Sequence, residues 1–412
     1  MMNLFKIAIR NLIRYKRRTL LTASLITIGV VFVLVFVSIT VSFKAMMIGQ
    51  ITDSMLGHFQ IHRKGYVASI DNLPLNLNMK PKAYSKIAAF LSATPAVEAF
   101  SPRLKFGGMF SNFTETTNIR LNGVYPEKEF QTVPLLTSRI SEGKKSLERG
   151  EIMIPTLLAK GLKVKLGDMV VIVATNADGS VNGKQFTVSG ILESATGPGG
   201  RDGYIHIEDA AEVLRMPEAE VSEVAVRLKD FSRLPAAVRQ LEGNVSGEVN
   251  KEGKPIFEVH SWEQLSPFFN IARMIDVMTF FIKIMLIAIV LISIMNVMIM
   301  AVYERIREIG TIAAIGTLPG RIRSMFIIEG FCLGVVGAVI GDILGSVFIL
   351  IVNLLGVRFD FAQQKGMLLT ATLQPADLLT VSGIVIVVAV AASLQPAIKA
   401  SKMEPIEALR HV

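Results

Sequence analysis

The chain has 412 residues, of which 51% are hydrophobic and only 19% are charged, and its mean hydropathy is +0.49. A soluble protein of this size exposes more charge, so the composition excludes an ordinary soluble class and favours a membrane protein. The formal net charge of +9 does not indicate nucleic-acid binding, because the basic residues flank apolar runs and no basic patch is interleaved with aromatic residues.

The first residues predict a basic amphipathic helix. Its apolar and basic positions alternate with helical spacing, at Leu4, Phe5, Ile7, Ala8, Leu12 and Ile13 and at Lys6, Arg10, Arg14 and Arg17. A helix of this kind lies on the inner leaflet of a membrane. A plain extension of the first membrane span is the alternative.

Four later runs are apolar and long enough to cross a bilayer, for which about 20 residues suffice. The first lacks the short core and cleavage site of a signal peptide, so we predict a retained span. Basic flanks place both termini and the central loop in the cytoplasm. The predicted boundaries are an N-terminal helix at 1–18, spans at 19–44, 273–302, 322–356 and 376–398, an inserted domain at 45–272, a cytoplasmic loop at 303–321, a short outer loop at 357–375 and a cytoplasmic tail at 399–412.

The inserted domain has ordinary polar composition and alternating strand and helix patterns, from a predicted strand at 58–63 to one at 256–259. It is long enough to bury a core of its own. We therefore predict a membrane α-helical protein, with one span before and three spans after a large extracytoplasmic α/β domain.

Small residues in the third span recur at three- and four-residue spacing, at Gly334, Gly337, Gly341 and Gly345. This spacing lets membrane helices pack closely. Packing within the chain and a seam between two copies both fit the pattern.

Two charges fall at membrane depth, Lys283 in the second span and Asp342 in the third. Such charges are costly unless they are paired, hydrated or able to reach the interface. Because the two spans run in opposite directions, we predict that the two side chains meet at a similar depth and pair. The alternative for Lys283 is that its side chain reaches the outer surface.

Several short motifs appear in a fixed order along the second half of the chain: Asn296-Val297-Met298, the stretch from Glu304 to Gly310, Ala314-Ile315-Gly316, the stretch from Phe326 to Glu329 and the tail from Pro405 to Arg410. With these motifs, nearly the whole chain resembles the MacB/LolC–LolE/FtsX family of ABC-transporter permeases. Leu56-Gly57-His58 and Asn122-Gly123-Val124 are most similar to the lipoprotein-releasing LolC/LolE branch.

The resemblance implies a coupling helix in the loop between the second and third spans, which docks on a cytoplasmic ABC ATPase. The residues expected to couple to the ATPase are Glu304, Arg305, Arg307, Glu308, Ile309, Gly310, Ile315 and Gly316. The expected partners are two copies of that ATPase, a second permease (the same chain or a paralogue), a lipoprotein or other amphiphile as substrate, a periplasmic carrier or adaptor, and membrane lipid. The expected location is the bacterial inner membrane.

No catalytic constellation is present in the sequence. It contains no G-x-x-x-x-G-K-[ST] phosphate loop, and the residues before the first span are too few for an ATPase. We therefore expect a non-catalytic subunit without a cofactor, whose separate partner binds ATP and Mg²⁺. The five histidines form no metal-ligand motif, so no metal site is predicted.

Phenylalanine and methionine residues cluster at the outer ends of the first two spans, at Phe43, Met46, Met47, Phe268, Phe269, Met274, Met278 and Phe281. Such side chains accept varied apolar groups. In the family that the chain resembles, these spans flank an opening toward lipid, so we predict that acyl chains of a substrate rest here. Helix packing and interfacial anchoring explain the same residues. The alternative functions are a MacB-like drug or peptide exporter working with an adaptor, and an FtsX-like regulator of a cell-wall hydrolase.

Overall fold

The computed structural model describes residues 2–193, 202–245, 255–361 and 364–404. The chain divides into two compact units. The membrane unit comprises Met1–Ala45, Arg273–Arg358 and Leu368–Val412, and the inserted unit comprises Met46–Ala272 and Phe359–Met367. The tail motif from Pro405 to Arg410 lies outside the described residues.

Within the described residues the α-helices are, in chain order, α1 (Met2–Arg14), α2 (Lys16–Ile51), α3 (Pro81–Ala93), α4 (Pro126–Thr132), α5 (Thr156–Gly161), α6 (Ile207–Val213), α7 (Leu234–Val245), α8 (Trp262–Leu265), α9 (Phe268–Glu304), α10 (Ile306–Ala314), α11 (Pro319–Leu355) and α12 (Pro375–Ser401). The strands are β1 (Phe59–Arg63), β2 (Val97–Ser111), β3 (Thr116–Val124), β4 (Ile140–Gly143), β5 (Glu151–Pro155), β6 (Met169–Thr175), β7 (Val181–Leu192), β8 (Asp202–His206), β9 (Glu223–Leu228), β10 (Phe257–Ser261), β11 (Arg358–Phe361) and β12 (Gln364–Leu368).

Four helical segments are long and apolar enough to cross a membrane: Thr19–Leu56, Phe268–Glu304, Pro319–Leu355 and Pro375–Ser401. This confirms the predicted order of one span, an inserted α/β domain and three spans. The first two helices extend beyond the apolar runs from which we predicted spans at 19–44 and 273–302. Backbone hydrogen bonding does not require apolar side chains, so a helix continues where the hydropathy falls.

The glycines of α11 pack against neighbouring helices of the same chain. A Cβ added to Gly337 would lie 2.5 Å from Ile26, and one added to Gly341 would lie 2.6 Å from Val30. The corresponding distances are 3.1 Å from Gly345 to Leu34 and 2.8 Å from Gly334 to Ala389. Three of these glycines therefore meet α2, and Gly334 meets α12. Of the two interpretations of the glycine spacing, the structure shows close packing within the chain.

The inserted unit is built on one large sheet with the strand order β10-β1-β9-β2-β3-β8-β5-β7-β4, and β6 pairs with β2 and β7. The pairs β3–β8 and β5–β7 are parallel, whereas β1, β9 and β2 run antiparallel to their neighbours. Buried aliphatic and aromatic side chains fill its main core, among them Phe106, Phe110, Ile152 and Ile205. This mixed topology requires helical crossovers between strands, as in an α/β domain.

The long strand β2 carries a buried ionic cluster. Arg103 is buried and lies 2.7 Å from Glu129 and 2.9 Å from Glu223, and both carboxylates are fully buried. Lys105 Nζ lies 3.1 Å from the second oxygen of Glu223, and His62 Nε2 lies 3.7 Å from the same oxygen. The charges offset one another, which is the condition under which buried ions are tolerated.

Candidate functional site

The loop between the second and third spans contains the short helix α10. The helical backbone of α9 ends at Glu304, Arg305 leaves helical geometry with φ −112° and ψ 19°, and α10 begins at the next residue. Gly316 follows α10 with φ +93°, a conformation that favours glycine. Pro319 then opens α11, a position where its missing N–H costs nothing.

Arg305 connects α10 to the third span from inside the protein. Its side chain is only 3% exposed, and its Nη1 lies 3.3 Å from Oε2 of Glu329, which is fully buried on α11. Its Nε donates to Oε2 of Glu308 at 3.1 Å. The guanidinium also lies over the rings of Tyr15 and Phe326, at 5.6 Å and 5.7 Å from their centroids. Each of these contacts adds to the fixing of the guanidinium.

Glu308 connects α10 to the N-terminal helix. The Tyr15 hydroxyl donates to Oε1 of Glu308 at 2.9 Å, and Arg14 Nη1 lies 3.6 Å from the same oxygen. Partial burial raises the pKa of Glu308, but hydrogen bonds from Tyr15 and Arg305 together hold it below its ordinary value. The hydrogen bond to Glu308 raises the pKa of Tyr15. At neutral pH the pair is therefore a carboxylate and a protonated phenol.

The eight predicted coupling residues differ in burial, and Glu308 is half-buried. Glu304, Arg307, Ile315 and Gly316 are exposed, and Ile315 is 80% exposed. Arg305, Ile309 and Gly310 are buried, and Ile309 belongs to the core of the membrane unit. These three residues therefore lie away from the exposed face of α10, and their part in coupling stays a prediction. They position the helix, because its apolar side faces the protein to which it belongs.

Sequence reasoning missed Tyr15 as a member of this site and assigned Glu329 no role beyond its motif. A tyrosine followed by Lys16 and Arg17 resembles an interfacial anchor, and a glutamate in an apolar run has no visible partner. The one available signal was the cost of burying Glu329 unpaired, which requires a cation at the same depth. Arg305 stands close enough in sequence to the third span to have been that cation.

The candidate acyl-chain residues are distributed over both units. Met274, Met278 and Phe281 recur at helical spacing on α9 and are all at least half exposed. Phe43, Met46, Phe268 and Phe269 are half-buried, and Phe269 packs edge-to-face on Trp262 with 6.0 Å between the ring centroids. Met47 is buried, which removes it from any surface on which an acyl chain could rest. The exposed part of the predicted set is therefore the stripe on α9.

An ion pair that the sequence did not reveal joins the first two spans near this stripe. Lys44 Nζ donates to both oxygens of Asp276, at 2.7 Å and 2.6 Å. Lys44 lies next to Phe43 on α2, and Asp276 lies between Met274 and Met278 on α9. The pair holds the outer ends of α2 and α9 together where the apolar stripe begins.

The predicted contact between Lys283 and Asp342 is not formed. Asp342 Oδ2 instead accepts a hydrogen bond from Ser382 Oγ on α12 at 2.5 Å, and Oδ1 has no hydrogen-bond partner among the described residues. A common depth does not place two side chains on facing sides of their helices. The side chain of Asp342 lies on the side of α11 that faces α12, and the apolar pattern of the sequence does not indicate this direction.

Among the described residues, no group of three His, Cys, Asp or Glu side chains is arranged to hold a metal ion. His58 Nδ1 accepts a hydrogen bond from the backbone N–H of Leu228 at 3.0 Å, and His62 stacks on Tyr66 with 5.4 Å between centroids. These two histidines therefore have structural contacts within the inserted unit.

Two family profiles match the chain in succession. The MacB-like periplasmic core domain matches residues 19–244, which is more than half of the chain, and the FtsX-like permease C-terminal region matches residues 280–405. The periplasmic region of MacB from Actinobacillus actinomycetemcomitans is a structural neighbour with 13% identity and a TM-score of 0.35, covering 53% of this chain and 92% of that one.

Curated relatives agree with the profiles. The lipoprotein-releasing system transmembrane protein LolC of Neisseria meningitidis is 24% identical, over 95% of this chain and 94% of that protein. The macrolide export ATP-binding/permease protein MacB of Bdellovibrio bacteriovorus is 24% identical over 76% of this chain but only 47% of that protein. The ABC transporter permease YtrF of Bacillus subtilis is 38% identical over 29% of this chain.

The four spans and these relatives together indicate an inner-membrane protein with a periplasmic domain, which is the inserted unit. The two profiles occupy the two parts of the chain that the fold separates, the inserted unit with the first span and the last three spans. The chain belongs to the MacB/LolC/FtsX family of ABC-transporter permeases.

Proposed function

We propose that the chain receives motion from a separate cytoplasmic ATPase and transmits it to the periplasmic unit, in order to extract lipoproteins or a similar amphiphile from the outer leaflet of the inner membrane. In this proposal both termini and α10 are cytoplasmic. Two permease chains, identical or paralogous, stand above two ATPase subunits, and a periplasmic carrier or adaptor receives the substrate. ATP and Mg²⁺ are bound by the ATPase and not by this chain.

The buried Arg305–Glu329 pair is the observation on which this proposal depends most. A solvated loop without contacts to the spans would change its own conformation when a partner displaced it, and the spans would not move. Here α10 is fixed to α11 by a buried ion pair, and Ile309 anchors it in the apolar core. Closely packed elements move as units rather than deform gradually. A displacement of α10 would therefore shift the third span with it.

The exposed residues of α10 and of the turn after it supply a surface for the ATPase. In the turn after α10, Ile315 is 80% exposed and Leu318 is 64% exposed, and Arg307 is an exposed cation on α10 itself. Exposed apolar side chains and exposed arginines are both common in protein interfaces. This surface replaces the broader one that the sequence predicted.

The proposed substrate class is supported by the full-length match to a lipoprotein-releasing protein and by the stripe on α9. Met274, Met278 and Phe281 are flexible or broad apolar side chains that accommodate acyl chains of different shape. The Lys44–Asp276 pair lies beside this stripe, because Asp276 stands between Met274 and Met278 on α9. Because an exposed ion pair is weak, it can open and close as the two helices separate.

Export of a drug or peptide is the second candidate. It is favoured by the match of residues 19–244 to the MacB-like periplasmic core domain. In that case a periplasmic adaptor, and not a lipoprotein carrier, would copurify with the complex.

A photo-crosslinking residue at Met278 tests the substrate class. We expect it to form adducts with lipidated protein in membranes that contain the ATPase, and vanadate should change their yield. The matched control is Leu354, which is 77% exposed at the outer end of α11 and should give adducts with bulk lipid only. A second control at the buried Met47 should give none. Active release without any Met278 adduct would contradict the proposal.

A further inference from the structure

The N-terminal helix α1 presents three different faces. The side that packs on the membrane unit includes Ala8 and Leu12, which are buried, and Asn11 contacts Met325 of α11. The other two faces are exposed. One is apolar and consists of Phe5, Ile9 and Ile13, and the other is basic and consists of Lys6, Arg10 and Arg14. Residues four apart share a helix face, so each set forms a continuous stripe.

The apolar stripe is too exposed to be part of a core. Phe5 is 42%, Ile9 41% and Ile13 61% exposed. Three large apolar side chains in a row at the surface indicate a partner. The chain itself indicates which one, because α1 is followed directly by α2, whose first apolar residues Leu20 and Leu21 are exposed at the start of a membrane span. The stripe on α1 therefore lies a few residues before a candidate membrane span.

The basic stripe identifies the chemistry of that partner. An apolar face beside a row of Lys and Arg is the pattern of a helix that inserts shallowly among anionic headgroups. Each cation near such a surface adds to the electrostatic attraction. We propose that α1 binds anionic lipid, and that the bound lipid sets the position of the coupling helix α10 through the Tyr15–Glu308 hydrogen bond. The second half of this inference rests on the proposed coupling function of α10.

The contacts between α1 and α10 connect the lipid-facing helix to the coupling helix, and we call this connection the relay. Tyr15 stands at the junction between α1 and α2, and its hydroxyl reaches Glu308 on α10 at 2.9 Å. Arg14 belongs to the basic stripe and also lies 3.6 Å from Glu308. The Tyr15 ring covers the guanidinium of Arg305. A change in how α1 lies on lipid therefore reaches the same residues that fix α10 to the third span.

The lipid contact can be measured on the permease alone. Cys332 is the single cysteine, so a Cys332→Ala, Ile9→Cys chain carries one label. With an environment-sensitive fluorophore at position 9, we expect a blue shift in vesicles of phosphatidylcholine with phosphatidylglycerol relative to phosphatidylcholine alone, and its loss in high salt. Lys6→Gln with Arg10→Gln should abolish the difference. Lys82→Gln with Lys145→Gln, which removes the same charge from exposed positions of the inserted unit, should leave it intact.

Emission that is identical in the two lipid compositions would overturn the lipid site. Emission that responds only when an ATPase is added would also overturn it, because the stripe would then be a protein-docking surface. The fluorescence measurement itself needs neither nucleotide nor ATPase. It can therefore contradict the lipid site while the proposed coupling function still holds.

The relay is tested by the Tyr15→Phe chain reconstituted with its ATPase. In the parent chain we expect the coupled ATPase rate to change with the phosphatidylglycerol content. In Tyr15→Phe the rates in the two compositions should become equal, while the fluorophore at position 9 still reports lipid. A Tyr15→Phe chain that keeps the full lipid dependence of its ATPase would overturn the relay.

Discussion

Arg305 on the coupling segment and Glu329 on the third span form an ion pair of 3.3 Å in which neither side chain is exposed by more than 3%. Because both groups are buried, the pair differs from the surface ion pairs that contribute little to stability. Removal of one partner from a buried pair typically costs about 3–5 kcal/mol. Here the cost is smaller for Glu329, because Arg305 keeps Glu308 as a second partner at 3.1 Å. The pair is therefore a structural requirement, and in the proposed function it is the connection through which α10 would move α11.

We expect Glu329→Ala to lower the free energy of unfolding of the membrane unit by about 2–3 kcal/mol, and to abolish stimulation of the ATPase. Glu329→Gln, which keeps the shape and a hydrogen-bond acceptor, should be milder in both respects. Denaturation in detergent and the coupled ATPase rate are the two measurements. Arg307→Ala removes the same charge from an exposed position and should change stability by no more than about 0.5 kcal/mol. Equal losses in the two chains would contradict the assigned role of the pair.

The glycine contacts of α11 predict a steric effect. Gly341→Ala places a methyl group 2.6 Å from Cβ of Val30, so α2 and α11 must move apart, at a cost of about 1–3 kcal/mol. Gly383→Ala on α12 is the matched control, because no atom lies within 4 Å of its added methyl group. Thermal unfolding in detergent should separate the two. If Gly383→Ala lowered the unfolding temperature more than Gly341→Ala, Gly383 would instead pack against a second chain.

The buried ionic cluster of the periplasmic unit predicts a dependence of stability on pH. Burial raises the pKa of Glu223, but Lys105, His62 and Arg103 together hold it well below its ordinary value of 4.5. For a carboxyl group with a depressed pKa, the stabilisation is fully present above pH 4.5 and is lost as the pH falls through the lower folded-state value.

Denaturant unfolding of the full chain, followed by the fluorescence of Trp262, measures this pH dependence of stability. Trp262 is the single tryptophan and is buried in the same unit. We expect stability to fall steeply below pH 4.5 in the parent chain. Glu223→Gln should be less stable at pH 7 and should have a flatter profile. Glu115→Gln, at an exposed position, should reproduce the parent profile. A parent-like slope in Glu223→Gln would refute the assignment.

The Lys44–Asp276 pair predicts a gate at the outer ends of α2 and α9. Lys44→Ala should change stability by less than about 1 kcal/mol, because both groups are partly exposed. Bridging Lys44→Cys to Asp276→Cys with a short bifunctional thiol reagent, in a Cys332→Ala chain, should stop substrate release while ATP hydrolysis continues. Release at the normal rate from a fully bridged chain would show that these ends do not separate.

The four spans could be predicted because their apolar runs are long and their flanks are basic. The strand β2 could not, because Val97–Ser111 contains Pro102, Arg103 and Lys105 and two consecutive glycines. These residues argue for a loop. The carboxylates of Glu129 and Glu223, which are distant in sequence, make it possible to bury Arg103 and to half-bury Lys105.

The candidate site was predictable in its location but not in its chemistry. The ERIREIG motif identified α10, whereas the sequence alone gave no reason to bury Arg305 and leave Arg307 exposed. The two arginines are only two positions apart, and their burial differs because Arg305, at the break before α10, lies against Glu329. The predicted Lys283–Asp342 pair failed for a related reason: depth in the membrane was known, but the direction of each side chain around its helix was not.

The account depends most on α10 as the segment that an ATPase grips, and one crosslinking measurement tests this directly. A photo-crosslinking residue at Ile315, which is 80% exposed, is compared with one at Ile309, which is 2% exposed, in cells that produce the permease with its ATPase. We predict an adduct between position 315 and the ATPase subunit, and none from position 309. If Ile315→Cys were instead labelled in intact cells by a reagent that cannot cross the inner membrane, α10 would lie on the periplasmic side and the account would be wrong.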